Sequence, residues 1–213
     1  MKNTLDHIKS KFTADTANPV QIPDVSRLDL VRWFRELDFK VGAEIGVAQG
    51  ELSKIICEIN PQLKLYGVDA WRSYTGYTDY VRSSTFEAMR NQTLERMNPY
   101  IKRGRFEVVE KFSMDALNDF EDGSLDFVYI DANHEAPFVN QDIQGWSKKV
   151  KPGGIVAGHD YARIKRVEWG VIEAIHGHVK THNIDPWFVL GTDEVVPGQV
   201  REGARTWMYV VPE

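Results

Sequence analysis

Four acids and two histidines draw attention first, because each falls at or just after a short apolar run. They occur in Glu44-Ile45-Gly46-Val47-Ala48-Gln49-Gly50, Asp69-Ala70-Trp71, Asp131-Ala132-Asn133-His134 and Gly158-His159-Asp160-Tyr161. If the runs are strands of one parallel sheet, Glu44, Asp69, Asp131 and Asp160 converge on one rim, where open α/β sheets bind ligands. Such a rim attracts cations and hydroxyl-rich ligands and repels phosphates. Singly, each acid has a local explanation, since Asp and Asn open turns and cap helices. Asp69 has a more particular use: a carboxylate there can accept both hydroxyls of a ribose. His134 and His159 titrate near neutrality and are the candidate general bases. Either could equally pack beside its own loop.

The elements that must position these residues alternate. Strands are predicted at Val41–Ile45, Leu63–Val68, Arg105–Val109, Leu125–Ile130 and Gly154–Ala157. Helices are predicted at Glu51–Glu58, Ser84–Met97, Ser113–Leu117, from the Asp131 loop to about Lys149, and at Val167–Gly177. Ser26 can cap an earlier helix through Leu37. Repeated β–α alternation argues for a parallel sheet with helices on both faces. Trp187–Leu190 and Thr206–Val211 have only a Gly/Pro-bearing loop between them, so they should pair antiparallel. Residues 1–25, polar and carrying Pro19 and Pro23, read as an arm, and 26–213 as one domain.

The glycine loop separates cofactor classes. A dinucleotide site wants G-x-G-x-x-G with a small third position. The register from Gly46 puts Ala48 second and the charged Glu51 third, so that fingerprint fails. The loop is instead G-x-A-x-G, two residues after an acid, and its glycines permit close backbone approach. Trp71 could cover a base or sugar, or pack in the core. Tyr74, Tyr77 and Tyr80 recur at every third residue and could line an acceptor pocket or pack on the sheet edge.

Composition bounds the class. The chain has 213 residues, 42% hydrophobic and 27% charged, which excludes a disordered tail, a collagen-like fibre and a simple coiled coil. A net charge of −5 lacks the broad basic footprint of nucleic-acid binding. Cys57, the single cysteine, cannot form an internal disulfide, which favours a reducing compartment. No run approaches 18 apolar residues, and the first residues lack the apolar core of a signal peptide. A cytoplasmic protein without nucleic-acid or membrane partners is expected, and the arm could serve a homodimer.

Taken together, Phe39–Val211 resembles the class I S-adenosylmethionine-dependent methyltransferases. Val41–Gly50 is similar to their first motif, Leu65–Trp71 to the second, Ser124–Asp131 to the fourth-strand motif, and Lys151-Pro152-Gly153-Gly154 to the turn before strand five. Ala48 stands where many members have glycine. The resemblance implies a Rossmann-like, doubly wound, seven-stranded sheet in the order 3-2-1-4-5-7-6, mostly parallel with an antiparallel last strand. It implies S-adenosylmethionine as cofactor, held by Glu44, Gly46, Ala48, Gly50, Asp69, Ala70, Trp71, Ser113, Met114 and Asp131. Ser113 could also cap the helix that follows it. Asp131-x-x-His134 and the His159-Asp160 pair resemble a branch acting on small molecules, akin to sugar and natural-product O-methyltransferases and cephalosporin-hydroxylase-like proteins. The acceptor is then a small molecule, with a hydroxyl favoured, and Asp131, His134 and His159 are the catalytic candidates. Some relatives hold a divalent metal, magnesium or manganese, at positions that here are Asp131, His159 and Asp160. An NAD-type oxidoreductase, a non-catalytic nucleoside-binding relative and an aminopropyltransferase remain as alternatives.

Overall fold

The computed structural model describes residues 3–12, 17–74, 83–163, 170–195, 197, 199 and 204–212. Its apolar runs form strands β1 Val20–Ile22, β2 Val41–Ile45, β3 Lys64–Val68, β4 Phe106–Val109, β5 Leu125–Ile130, β6 Val150–Tyr161, β7 Trp187–Leu190 and β8 Arg205–Val210. The helices are α1 Thr4–Lys9, α2 Arg27–Glu36, α3 Glu51–Ile59, α4 Ser83–Ile101, α5 Ser113–Ala116, α6 Ala136–Ser147 and α7 Val171–Thr181. The tyrosine-rich stretch is followed only through Tyr74. Tyr77 and Tyr80 lie outside the described residues, as does the expected helix start at Val167.

All strands join one sheet in the order β1-β7-β8-β6-β5-β2-β3-β4. β8 runs antiparallel to both β6 and β7, and the other pairs are parallel. The resemblance implies seven strands, and eight are present among the described residues. The extra one is β1, three residues paired with β7 from Val20↔Phe188 to Ile22↔Leu190. It is short, flanked by Pro19 and Pro23, and lies on the sheet edge, where proline is tolerated. No three-residue pattern distinguishes such a strand from an arm. The remaining seven keep the expected order.

Strand β5 is buried on both faces. Phe127 and Tyr129 belong to the core beneath α2, α3 and α4, while Val128 and Ile130 belong to the core beneath α6 and α7. Phe34 of α2 stacks on Phe127 with ring centroids 3.9 Å apart. That alternation fixes the register, because a one-residue slip would exchange the two faces. Ser26 caps α2 reciprocally with Asp29, so the helix starts where the sequence predicts. β2 is followed on one side by β3 and meets β5 on the other, so the chain reverses direction of growth at β2. A ligand crevice is expected at that reversal. Among the described residues, no helix is long and apolar enough to cross a membrane.

Candidate active site

At the carboxyl end of β2 the backbone turns sharply through Gly46, whose φ is +88°. A Cβ there would lie 2.0 Å from the Asp131 carbonyl oxygen, so glycine lets the loops after β2 and β5 touch. Ala48 adopts φ +51°, the left-handed region that explains why glycine would serve at this place. Its conformation is over-determined. The Ala48 amide donates to Asp69 Oδ2 at 2.9 Å, and its carbonyl accepts both the Trp71 indole N–H and the Thr93 hydroxyl at 2.8 Å. The Arg96 guanidinium donates to the next carbonyl, of Gln49. Thr93 and Arg96 of α4 therefore brace the glycine loop. Nothing in their spacing announces this, because α4 is linked to the loop only through the fold.

Asp69 accepts three backbone amides: Val47 and Ala48 on Oδ2, both at 2.9 Å, and Trp71 on Oδ1 at 2.8 Å. A carboxylate has about four acceptor positions. One position on Oδ1 therefore remains for a ligand, fewer than the two-hydroxyl clasp expected from the sequence. Burial pushes this carboxyl up, and the three amides oppose that shift. Trp71 is buried and spends its N–H on Ala48, so it acts as a latch as well as a wall. Ala70 lies between them on the cavity wall. Glu44 forms the floor and is 2% exposed. Burial pushes it up to about 8; the Ser53 hydroxyl donates to it and opposes the shift, and Asp131 and Asp69 add to it.

Ser113 and Met114 follow β4. The N-cap of α5 is Phe112, and Ser113 makes no capping bond, which corrects the expected cap. Its hydroxyl instead donates to Asp142 and accepts Trp146 Nε1 at 2.8 Å. Met114 is 41% exposed beside the cavity. Tyr74 also borders the cavity, packed against Phe112 and Phe138 with centroids 6.0 and 5.2 Å away, and its hydroxyl accepts Asn133 Nδ2 at 2.7 Å.

The two histidine candidates separate. His134 is buried and borders the cavity, with Nε2 2.7 Å from Asp160 Oδ2. His159 points Nδ1 at Asp160 Oδ1, 3.2 Å away, lies 3.9 Å from Asp131, and does not line the cavity. Burial would raise the Asp160 carboxyl, but bonds from His134 and His159 outweigh it and hold it well below the ordinary carboxylate range. Asp131 is shifted the other way, raised by burial against the pull of His159. An ionised carboxylate only accepts, so the bond runs from His134 Nε2–H to Asp160 Oδ2. The expected metal trio was Asp131, His159 and Asp160. Among the described residues, the ligand atoms that gather within 4.8 Å are those of Asp131, His134 and Asp160. His159 Nδ1, 3.2 Å from Asp160 and 3.9 Å from Asp131, flanks the same two carboxylates.

These walls enclose a cavity of about 760 Å³, within the size range of small-molecule sites. Arg27 and Leu28 of α2 also line it, together with Asp142. None of the three was singled out from the sequence. Asp142 did carry a signal, an acid at a position where α6 otherwise repeats apolar residues.

Comparison with known proteins agrees with this architecture. An O-methyltransferase family protein from Burkholderia thailandensis is 16% identical with a TM-score of 0.60, over 88% of this chain and 55% of that one. The cofactor-bound protein Rv0187 from MTB is 14% identical with a TM-score of 0.59, over 88% and 80%. A precorrin-6y C5,15-methyltransferase from Geobacter metallireducens is 11% identical with a TM-score of 0.56, over 87% of each chain. At such identities these likenesses establish the fold. Among curated proteins, uncharacterized protein y4gI of Sinorhizobium fredii is 26% identical over 97 residues, 45% of this chain, which spans about 10% of that relative's length. Residues 43–161 match the family described as a methyltransferase domain. That match runs from the strand before the glycine loop to the end of the His159-Asp160 strand and covers more than half of the sequence, so the chain belongs to this methyltransferase-domain family.

Proposed function

We propose that this chain moves a methyl group from S-adenosylmethionine to a hydroxyl of a small-molecule acceptor, with His134 as the general base. The observation that carries the reading is the buried His134–Asp160 pair, 2.7 Å apart, beside a cavity walled by the glycine loop. The residues present suit a cationic nucleoside. Asp69 and Asp131 supply acidic character, Asp69 Oδ1 keeps one acceptor position for a sugar hydroxyl, and aromatic and aliphatic side chains supply flat apolar surface. Glu51 borders the cavity from the first turn of α3. A pyrophosphate would sit at such a helix start, so the carboxylate there counts against the dinucleotide alternative.

S-Adenosylmethionine, when bound, supplies a methyl group on a sulfonium whose sulfur takes the bonding pair as the methyl leaves. The chain must then align the acceptor, exclude water and remove a proton. Alignment in a closed site can supply up to about 7–11 kcal/mol. A positioned base adds about 10²–10⁴-fold. The imidazole of His134 takes the hydroxyl proton as the acceptor oxygen attacks. Asp160 holds Nε2–H and stabilises the imidazolium that results.

Asp131, His134 and Asp160 would also be the ligands of a divalent ion, which would act by lowering the hydroxyl pKa. Two carboxylates and an imidazole suit manganese better than magnesium. His134 cannot serve as ligand and base through one lone pair, and Asp160 already spends an oxygen on each imidazole, which favours the base. The test is S-adenosylhomocysteine formation with a panel of sugar and phenolic acceptors. His134→Ala should cut turnover about 10²–10⁴-fold and leave nucleoside affinity in place. Failure to bind S-adenosylmethionine in titration calorimetry overturns the proposal.

A further inference from the structure

The cavity crosses the carboxyl edge of the sheet, and its two ends differ in chemistry. On one face α6 packs through Val139, Ile143 and Trp146, and at that end Ser113, Gln141 and Asp142 bring polar groups to the cavity. On the other face lie α2, α3 and α4, and there Leu28, Leu52, Ile55, Phe86 and Met89 border it. Local spacing explains the grouping: Leu52 and Ile55 share one side of α3, and Phe86 and Met89 share one side of α4. Ile55, Phe86 and Met89 are only partly buried, and Leu28 is 36% exposed. Apolar surface of this kind gains from a ligand that removes it from water. Arg27 stands at the edge of this end, as the first residue of α2, where the helix dipole disfavours a cation. Two other cations border the cavity and are engaged away from it. Lys111 pairs with Asp119 at 2.6 Å, and Arg72 lies 4.7 Å over the Phe112 ring.

We infer that this end receives the body of the acceptor, and that the acceptor is an apolar hydroxy acid whose carboxylate is held by Arg27. The inference rests on the methyl-donor reading above and narrows the acceptor from any hydroxyl compound to one class. A guanidinium grips a carboxylate through two parallel N–H bonds. The apolar walls accept a ring or an alkyl chain, which places the hydroxyl at the far end, toward His134. A sugar would lose water from its hydroxyls against Leu28, Phe86 and Met89 and find no partners there. The methyl donor also carries a carboxylate, the same chemistry from a second source. Its tail is zwitterionic, however, and would set an ammonium beside the same apolar walls and the same cation.

The test is titration calorimetry on the full chain saturated with S-adenosylhomocysteine. The probes are para-hydroxyphenylpropanoic acid, ω-hydroxyoctanoic acid, the primary amides of both, and glucuronic acid. Loss of hydrogen bonds to a charged group predicts that each acid binds about 10–150-fold more tightly than its amide. Glucuronic acid, a carboxylate without an apolar body, should bind at least about tenfold more weakly than either acid. Arg27→Met keeps an apolar stem and removes the charge. Its preference for acid over amide should fall below about threefold. Its affinity for S-adenosylhomocysteine should stay within about twofold of the natural value, since no donor contact is lost. Arg27→Lys keeps the charge but not the fork and should recover part of the preference. A natural chain that binds neither acid more tightly than its amide overturns the inference, as does one that binds glucuronic acid equally well. An Arg27→Met chain that loses donor affinity together with the acid preference assigns Arg27 to the donor's own carboxylate and overturns it too. A natural chain that fails to bind S-adenosylhomocysteine at all overturns the methyl-donor reading and this inference with it.

Discussion

Replacing Gly46 by alanine tests whether the loops after β2 and β5 must touch for the site to form. A paired control exists in Gly104. Both glycines have positive φ, +88° and +69°, so alanine carries about 1–2 kcal/mol of backbone strain at either place. At Gly104 a Cβ meets nothing within 4 Å, whereas at Gly46 it would lie 2.0 Å from the Asp131 carbonyl oxygen. Ordinary contact begins near 3.4 Å, so one backbone must give by more than 1 Å. Overpacking of this kind adds about 1–3 kcal/mol. In a domain of this size that difference lowers the unfolding temperature by about 2–12 °C beyond the control. The displaced segment carries Asp131 and, three residues on, His134. A misplacement of about 1 Å can cost about 10²-fold in rate. Thermal unfolding followed by circular dichroism gives the first quantity, and S-adenosylhomocysteine formation gives the second. Gly104→Ala should keep nearly full turnover. If Gly46→Ala unfolds no earlier than Gly104→Ala and turns over equally well, the loop contact is not what builds the site.

Asp160→Asn removes the carboxylate that accepts His134 Nε2–H, and turnover should fall about 10²-fold or more while nucleoside affinity holds; equal loss of both would assign Asp160 a structural role only. Glu44 holds its proton in the folded chain up to about pH 8 but releases it near 4.5 when unfolded, so stability falls as pH rises through that window. Glu44→Gln removes the dependence, and its advantage in unfolding temperature over the natural chain should widen steadily between those limits; an advantage independent of pH would show that the buried carboxyl does not titrate as proposed. Dialysis against a chelator should leave turnover within about twofold of its starting value, as expected for an imidazole base. A large loss restored by manganese would instead place an ion on Asp131, His134 and Asp160.

Most of the fold is legible in the residues. β2, β5 and β7 begin and end where alternation and apolar runs predict, because strands buried on both faces carry continuous hydrophobic sequence. β6 extends beyond the expected Gly154–Ala157, from Val150 to Tyr161, because pairing with β5 and β8 continues past its most apolar stretch. α4 likewise runs on through Pro99 to Ile101. β1 is illegible for the opposite reason, since three residues between prolines acquire strand geometry only when β7 offers an edge.

The candidate site divides along the same line. Its strand-end acids, its loop glycines and its two histidines are legible in the sequence alone, because strand ends and loop glycines are local features with a local signature. Which histidine faces the cavity, which oxygens of Asp69 remain open, and which serine meets Asp142 are decided by tertiary contact. Asp160 lies 26 residues from His134, and Ser113 lies 29 residues from Asp142. Separations of that length leave no periodicity in the chain to read. Only the closing of β5 and β6 side by side, with α5 docked on α6, brings those partners within bonding distance.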